Sequence, residues 1–271
     1  MDKRPIGIFD SGLGGLSTVR ALKKLMPYED IVYFGDTGRV PYGTRSNETI
    51  ETYAAQDIEF LRKFDCKMIV VACGTVSTVA ADMIYALKEP ATGIAKPSAA
   101  AAVQATKNKI IGIMGTSATV NSGVFDDEIH LLDGEIKTIC VACPLLVNLV
   151  ENNWIGEEDE ITAAVIRRYI KPIIDAGADT IILGCTHFPI LAPIIKKIAG
   201  ESVTLIDTGL EEAKYVEKTL SKNNMANDFS HIGKEKFFVS DKTQNFCTAA
   251  NALLGEDISK KCSFVDILKY I

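Results

Sequence analysis

The sequence predicts an α/β fold made of two similar doubly wound domains, each built on a parallel sheet, with an active site in the cleft between them. Short apolar strands alternate with helical patterns along the whole 271-residue chain, as in parallel α/β proteins. The segment I-G-I-F-D-S at residues 6–11 recurs as I-G-I-M-G-T at residues 111–116, 105 residues later. Two further strands run into cysteines, Cys73 and Cys185, which are 112 residues apart. These repeats indicate a duplicated unit that presents one cysteine per copy.

The composition argues against several classes of protein. Hydrophobic residues make up 47% of the chain and charged residues 24%, as in ordinary globular proteins. A net charge of −6 without any cluster of Lys or Arg argues against a nucleic-acid partner. No apolar run approaches the roughly 18 residues of a membrane span, and the first hydrophobic run ends at Asp10, too early for a signal peptide. We therefore expect a cytoplasmic protein with no membrane partner.

The first unit is predicted to contain three strands, each followed by a helix. The strands are I-G-I-F at residues 6–9, I-V-Y-F at residues 31–34 and M-I-V-V at residues 68–71. Unbroken apolar runs with β-branched residues suit strands that are covered on both faces. Apolar residues at helical spacing predict helices over residues 16–26, 46–61 and 76–87, the second with Ser46 as its N-cap.

The second unit is predicted to begin after a break at residues 90–97, which contain two prolines and a glycine. An alanine-rich helix follows at residues 98–106. Strands are then predicted near residues 111–114, 136–140, 180–183 and 203–206. A helix over residues 157–176 contains Pro172, which predicts a kink or a break between two helices.

The C-terminal elements are predicted to return to the first unit. They are a helix from about residue 208 to 220, a polar loop at residues 223–234, a last strand at residues 237–239 and a helix at residues 249–254. Because this strand needs a sheet to join, we predict one domain from residues 1–97 plus 208–271. The other domain is predicted to comprise residues 98–207.

Polar side chains follow the strand ends in both units. Ligands of open parallel sheets bind outside the carboxyl ends of the strands, so one cleft is expected to be lined by Asp10, Ser11, Asp36, Cys73, Thr75, Thr116, Cys185, Thr186, His187 and Asp207. Arg39 is the exceptional cation near this set, so an anion would depend mainly on backbone N–H groups. The loop D-S-G-L-G-G at residues 10–15 departs from G-x-G-x-x-G, and its aspartate would repel a phosphate. These amides therefore favour a carboxylate ligand over a nucleotide.

Two thiols that face each other across a cleft suggest proton transfer at one carbon atom. A thiolate on one face can remove a proton while the thiol on the other face returns one, which inverts a stereocentre without a cofactor. Free cysteine has a pKa of about 8.5, and a neighbouring base makes the thiolate accessible near neutral pH. Asp10 and His187 are the candidates to exchange protons with the thiols.

The remaining cysteines are predicted to be structural. Seven cysteines is an odd number, and together with the missing signal peptide this argues against a disulfide framework. Cys140 and Cys143 have the spacing of a redox or zinc motif, but no second pair of ligands stands at a matching distance, so no metal is expected. A role as small buried hydrophobic residues is predicted for both, and also for Cys66, Cys247 and Cys262.

Four segments of the chain resemble the glutamate racemases of the aspartate/glutamate racemase superfamily. In chain order they are D-S-G-L-G-G at residues 10–15, D-T-G-R-V-P-Y-G at residues 36–43, A-C-G-T at residues 72–75 and G-C-T-H-F-P at residues 184–189. The resemblance implies cofactor-independent, two-base racemisation of L-glutamate to D-glutamate for peptidoglycan synthesis in the cell wall. It also implies a homodimer, with glutamate as the small-molecule partner.

The resemblance implies roles for individual residues. Cys73 and Cys185 would be the two acid/base groups, assisted by Asp10 and His187, and Glu151 would modulate the second thiol. No metal is implied. The substrate would be held by Asp10, Ser11, Pro41, Tyr42, Gly43, Gly74, Thr75, Thr116, Thr119, Thr186 and His187.

Gly74 departs from the family pattern, which commonly has an asparagine whose side chain helps to hold the substrate. Either the Gly74 N–H with neighbouring side chains or a bound water replaces that contact, or substrate affinity is weaker. A lost hydrogen bond to a charged ligand group costs roughly 1.5–3 kcal/mol. Asn148, which stands in place of a common proline, is interpreted as neutral.

Two other functions are consistent with the sequence. A racemase for aspartate or another small amino acid would share the two-cysteine plan, although the segment at residues 36–43 argues for glutamate. A ligand-binding or redox-sensing module would instead join Cys73 and Cys185 in a reversible disulfide. Such a module would not exchange the Cα proton of an amino acid.

Overall fold

Two separate parallel sheets organise the chain in the computed structural model, which describes residues 1–241, 246, 250, 251 and 253–270. Within these residues the strands are β1 (Ile6–Asp10), β2 (Ile31–Gly35), β3 (Met68–Val71), β4 (Ala91–Gly93), β5 (Ile110–Gly115), β6 (Lys137–Ala142), β7 (Thr180–Leu183), β8 (Thr204–Asp207), β9 (Glu235–Val239) and β10 (Cys262–Phe264). The first sheet has the order β10-β9-β2-β1-β3-β4, and the second has the order β6-β5-β7-β8. Every recorded pair of neighbouring strands is parallel.

Helices connect the strands in both sheets. They are α1 (Leu16–Leu25), α2 (Asn47–Arg62), α3 (Gly74–Val79), α4 (Ala81–Tyr85), α5 (Ala95–Ala105), α6 (Ser117–Asn121), α7 (Val124–Leu132), α8 (Pro144–Glu151), α9 (Glu160–Asp175), α10 (Ala192–Ala199) and α11 (Thr208–Lys222). Short 3₁₀ helices occur at Phe188–Leu191 and Ile267–Lys269. Among the described residues, no helix combines the length and the apolar character that crossing a membrane requires.

Both sheets are covered by apolar side chains on two faces. Ile8 of β1 packs on one face of the first sheet, in a cluster with Val19 of α1 and Val216 of α11. Phe9, the next residue, points to the opposite face and belongs to a cluster with Ile50 of α2. The second sheet is enclosed in the same way, by α9 and α10 on one face and by α5 and α7 on the other. The predicted α/β, doubly wound fold class is confirmed.

Three expectations about individual elements are wrong. The break predicted at residues 90–97 contains β4, an edge strand of only three residues, and the start of α5. The strand at residues 237–239 is not the last one, because β10 pairs with β9 and forms the edge of the first sheet. Of the two outcomes predicted for Pro172, the break is wrong, because α9 is one helix over Glu160–Asp175, and the kink stays a prediction. Pro172 lies in the last turn of α9, where a proline removes a single backbone hydrogen bond and little helix follows.

One predicted domain boundary falls inside a helix, and the other falls at the end of a strand. Residue 97 lies inside α5, whereas residue 207 is the last residue of β8. β9 pairs with β2 of the first sheet. The division into residues 1–97 plus 208–271 and residues 98–207 stays a prediction. Of the helix predicted at residues 249–254, residues 250, 251, 253 and 254 are helical, and the others lie outside the described residues.

Glu212 of α11 is a fully buried carboxyl group. Its Oε2 accepts a hydrogen bond from the Thr18 hydroxyl at 3.1 Å, and its Oε1 has no hydrogen-bond partner among the described residues. Burial raises the pKa of Glu212 well above its usual value; the hydroxyl of Thr18 opposes this effect and the charge of Asp10 adds to it. At pH values between the unfolded and the folded pKa, the folded protein therefore keeps a proton here that the unfolded chain releases.

Replacing Glu212 by glutamine is expected to stabilise the protein, and to do so more at higher pH. A carboxyl whose folded pKa is raised costs stability as the pH rises above the unfolded pKa of about 4.3, and glutamine removes that loss. A gain of about 1 kcal/mol would raise Tm by roughly 2–4 °C. Thermal unfolding at a series of pH values measures the effect, with Glu211→Gln as the control on the same helix. A gain that does not change with pH would contradict the assignment.

Candidate active site

The carboxyl ends of strands from both sheets meet around one cavity of about 100 Å³. Parallel strands bring the residues that follow them to one edge of a sheet, and here the two edges face each other. The cavity is lined by Ser11, Val40, Pro41, Tyr42, Gly43, Thr44, Cys73, Gly74, Thr75, Thr116, Ser117, Pro144, Leu145, Val147, Asn148, Cys185, Thr186 and His187. Both predicted thiols and most of the predicted substrate-binding residues are therefore brought together. Asp10, Thr119 and Glu151 stand behind this lining.

Cys73 enters the cavity from the first sheet. It follows β3 and is the N-cap residue of α3, and it is 4% exposed. Its Sγ lies 3.5 Å from the Ser11 hydroxyl oxygen. Burial raises the pKa of Cys73 to about 12, with a further contribution from the charge of Asp10. The thiol form of Cys73 is therefore favoured at neutral pH.

Cys185 enters the cavity from the second sheet, two residues after the end of β7. Its Sγ lies 3.7 Å from Nδ1 of His187. On the far side of the imidazole ring, Nε2 lies 3.4 Å from Glu151 Oε1, and it has no hydrogen-bond partner among the described residues. Burial alone would lower the pKa of His187, but its contacts with Cys185 and Glu151 and the charge of Asp10 outweigh burial and raise it to about 10. The resulting imidazolium places a positive charge beside the Cys185 sulfur.

Asp10 lies beneath the cavity and touches both halves of the site. It is fully buried at the end of β1. One carboxylate oxygen accepts the Gly12 N–H at 2.8 Å, and the other accepts the Thr186 hydroxyl at 3.2 Å. Burial raises the pKa of Asp10, against the opposing charge of His187 and the hydrogen bonds from the backbone and Thr186. Asp10 therefore joins the loop after β1 to the turn after β7.

A chain of threonine hydroxyls bridges the cleft on its other side. The Thr75 and Thr116 hydroxyl oxygens are 2.9 Å apart, and the Thr116 hydroxyl donates to the Thr119 hydroxyl at 3.0 Å. Thr116 also caps α6, because its hydroxyl accepts the Thr119 N–H at 3.1 Å. Thr119 therefore orients Thr116, and Thr116 faces the cavity.

Tyr42 lines the cavity, but its hydroxyl group is directed away from a substrate. The hydroxyl donates to the Asp36 carboxylate and lies 3.3 Å from Asp57 Oδ2. The segment at residues 40–44, which we call the 40–44 loop, forms one wall of the cavity. The Tyr42 hydroxyl is therefore engaged by two buried carboxyl groups.

Three glycines allow the two halves of the site to touch. A Cβ atom added to Gly14 would lie 2.5 Å from Thr186 Cβ, and one added to Gly43 would lie 2.8 Å from Thr116 Cβ. A Cβ atom at Gly74 would overlap the carbonyl oxygen of Gly184. An asparagine at position 74 would therefore require the two halves to move apart from their present positions.

One wall of the cavity, formed by the start of α8, was not predicted from the sequence. Pro144, Leu145, Val147 and Asn148 line the cavity from this helix, and Thr44 and Ser117 were also missed. Asn148 was interpreted as neutral, and its position in the cavity wall was not predicted. Cys143 could have indicated this wall, because it follows β6 at the edge of the sheet where Cys185 follows β7.

The other cysteines contribute no sulfur atom to the cavity lining among the described residues. Cys66, Cys143 and Cys262 are buried, and Cys140 is half-buried with its Sγ 3.2 Å from an Asp126 carboxylate oxygen. Cys66, Cys140, Cys143 and the two thiols of the cavity are free cysteines. Cys247 lies outside the described residues.

Comparison with known proteins agrees with the motifs and the fold. The chain matches the Asp/Glu/hydantoin racemase family over residues 16–216. It is 40% identical over 260 residues to a glutamate racemase of Neisseria meningitidis, with 95% of each chain covered. It is similar to the solved structure of a glutamate racemase isoform of Bacillus anthracis, with a TM-score of 0.93, 35% identity and 98% of each chain covered. Glutamate racemase of Francisella tularensis in complex with D-glutamate matches with a TM-score of 0.92, 33% identity and 100% of each chain covered. The chain therefore belongs to the Asp/Glu/hydantoin racemase family and, within it, to the glutamate racemases, which are isomerases acting on amino acids.

Proposed function

We propose that this enzyme interconverts L- and D-glutamate without a cofactor, with Cys73 and Cys185 acting as bases on opposite faces of the substrate Cα. The observation that carries the proposal is that the two cysteines, held by different sheets, line one small cavity. Identity of 40% to a glutamate racemase over 95% of the chain supports glutamate as the substrate. The complex of the Francisella relative with D-glutamate supports the same choice.

The two thiols have different charged and polar neighbours. Burial raises the pKa of Cys73 to about 12, which favours its thiol form, whereas Cys185 lies beside the His187 imidazolium. In the proposed mechanism a thiolate on Cys185 removes the Cα proton of one enantiomer, and the electron pair of the C–H bond stays on a carbanion next to the carboxylate. Cys73 then gives its proton to the opposite face.

Each turnover leaves the two thiols in exchanged states. Cys73 becomes the thiolate and Cys185 the thiol, which is the starting state for the opposite enantiomer. Asp10 and His187 are the groups proposed to restore the first state, because each interacts with the cysteine on its own side of the site. Glu151, 3.4 Å from His187, is proposed to keep the imidazole ring charged.

The cavity wall is suited to a substrate with two carboxylates. Among the described residues that line it, none is a lysine or an arginine. The hydroxyl groups of Ser11, Thr75, Thr116 and Thr186 and the N–H groups of Gly43 and Gly74 are proposed to donate hydrogen bonds to the carboxylates. Pro41 and the Tyr42 backbone complete this wall.

The setting of the reaction is also a proposal. D-glutamate made here would enter peptidoglycan synthesis, as the family resemblance implies. A cytoplasmic location would keep both thiols reduced, which the mechanism requires. The homodimer stays a prediction from the resemblance, and sedimentation of the purified enzyme would test it.

The function is tested by incubating L-glutamate with purified enzyme in deuterated water, with a chelator present and no cofactor added. We expect a racemic mixture whose D-glutamate carries deuterium at Cα, measured by chiral chromatography and mass spectrometry. L-Aspartate is expected to react roughly 10–200-fold more slowly, because one methylene group is worth that much discrimination in an enzyme site. Faster turnover of aspartate would overturn the substrate, and the absence of Cα exchange with either amino acid would overturn the racemase activity.

A further inference from the structure

A buried network of charged groups lies behind the 40–44 loop. Asp36 follows β2, and Asp57 lies in the middle of α2; both are fully buried. Arg39 and Tyr42 reach both carboxyl groups from positions on either side of Val40 and Pro41. The network therefore holds the chain at Arg39 and at Tyr42, on either side of the two residues of the cavity wall between them.

The two carboxyl groups have different partners. Asp36 accepts three hydrogen bonds, from the Tyr42 hydroxyl, from Arg39 Nε at 2.5 Å and from the Ser240 hydroxyl at 2.6 Å. Asp57 accepts one N–H of Arg39 at 3.1 Å, and its other oxygen lies 3.3 Å from the Tyr42 hydroxyl oxygen. Asp36 therefore has the partners of a carboxylate, whereas Asp57 has fewer.

The proton of Tyr42 can serve only one of these two neighbours. It is directed to Asp36, so an ionised Asp57 would place a second negative oxygen against the lone pairs of the tyrosine oxygen. A proton on Asp57 makes this contact attractive, because the carboxylic acid then donates to Tyr42 and Tyr42 donates to Asp36. The single positive charge of Arg39 also balances one carboxylate rather than two.

We propose that Asp57 is a positioning residue that holds the 40–44 loop through Tyr42, and that it does so as a neutral carboxylic acid. Burial raises the pKa of Asp57 well above its usual range, and the charge of Asp36 raises it further, against the opposing effects of the Arg39 charge and the Tyr42 hydroxyl. Asp57 touches no part of the cavity itself and acts through Tyr42.

The loop position matters because the clearance across the cleft is small. Gly43, next to Tyr42, has no room for a Cβ atom beside Thr116 of the second half. A loop that loses its support at Tyr42 would shift the Gly43 backbone relative to Thr116 and widen the cavity at this wall. The main effect would be on substrate binding, because Cys73 and Cys185 lie on other elements. This expectation rests on the proposed function.

Variants of Asp57 and Asp36 test the proposal through the KM for glutamate. Asp57→Ala should raise KM about 3–10-fold, as expected for one or two lost hydrogen bonds, with kcat changed less than 3-fold. Asp57→Asn should restore KM to within about 2-fold of wild type, because the amide can donate to Tyr42 and accept from Arg39 like a neutral acid. Asp36→Asn, unlike Asp57→Asn, should raise KM about 10-fold. Tyr53→Phe, which keeps the ring packed against Tyr42, is the control.

Infrared spectroscopy gives a second readout that does not depend on activity. The carbonyl band of a protonated carboxylic acid should be present in wild type and smaller in Asp57→Asn at neutral pH, whatever reaction the enzyme catalyses. An unchanged band, or an Asp57→Asn variant as impaired as Asp57→Ala, would show that Asp57 is ionised and overturn the proposal. A KM unchanged in Asp57→Ala would exclude the positioning role. A wild-type protein that does not racemise glutamate would instead overturn the proposed function, while the infrared result would still decide the state of Asp57.

Discussion

Replacing Cys73 or Cys185 by alanine is expected to lower the rate of glutamate racemisation by about 10²–10⁴-fold, the contribution of one positioned acid or base. Inversion needs a group on each face of Cα, so the remaining thiol cannot complete it. The remaining thiol can still remove a proton and return a deuteron from solvent to the same face. Each variant should therefore retain exchange without inversion for one enantiomer, and the two variants should retain it for opposite enantiomers.

The measurement is proton exchange at Cα of L- and D-glutamate in deuterated water, alongside the chiral assay. Cys140→Ala is the matched control, because Cys140 is a free thiol that does not line the cavity. Near-normal racemisation by either active-site variant would remove that thiol from the mechanism. A reversible Cys73–Cys185 disulfide together with no exchange in the wild type would instead support the redox-sensing alternative.

Replacing Gly14 by alanine is expected to lower kcat/KM by about 10²-fold, the loss that a misplacement of about 1 Å can cause at an active site. The added methyl carbon would lie 2.5 Å from Thr186 Cβ and 3.0 Å from the Thr186 carbonyl carbon. Because the nearest atoms include backbone, rotation of a side chain cannot relieve the overlap. The turn that carries Cys185 would move away from Asp10, and the hydrogen bond between Thr186 and Asp10 would be lost.

Gly12→Ala is the control for this prediction, since it adds the same methyl group to the same loop. Among the residues that the structure describes, its Cβ would meet only Val40, at 3.6 Å, which is an ordinary van der Waals contact. We expect this variant to keep kcat/KM within about 3-fold of wild type, a difference worth less than about 1 kcal/mol. Thermal unfolding of both variants separates a local displacement from loss of the fold. Equal activity of the two alanine variants would show that the contact between Gly14 and Thr186 is unimportant.

Much of the site could be predicted because it depends on strand ends. The apolar runs of β1, β3 and β7 are unbroken, and the polar residues that follow them must collect at one edge of a parallel sheet. The short edge strands β4 and β10 could not be predicted in this way. Three residues give too little periodicity, and their pairing depends on neighbours distant in sequence.

The buried polar residues behind the site were harder to predict from the sequence. Asp57 lies in E-T-Y-A-A-Q-D-I-E-F, where an aspartate after a glutamine looks like part of a solvated helix face. Its burial follows from Arg39 and Tyr42, which come from a loop whose path the sequence does not reveal. Glu212 was hidden for the same reason, since only the packing of α11 against α1 removes it from water. Buried polar partners are set by tertiary packing rather than by local pattern.

The strands of the first sheet are translated in two groups that are far apart in the sequence. β4 is complete at Gly93, whereas β9 begins at Glu235, after the whole second sheet has been translated. At about 5–20 residues per second, the roughly 140 intervening residues take about 7–28 s. During this time the apolar edge of β2 has no β9 beside it, and open apolar edges recruit other chains. Slow docking of β9 would therefore reduce the yield of soluble enzyme rather than the activity of each molecule.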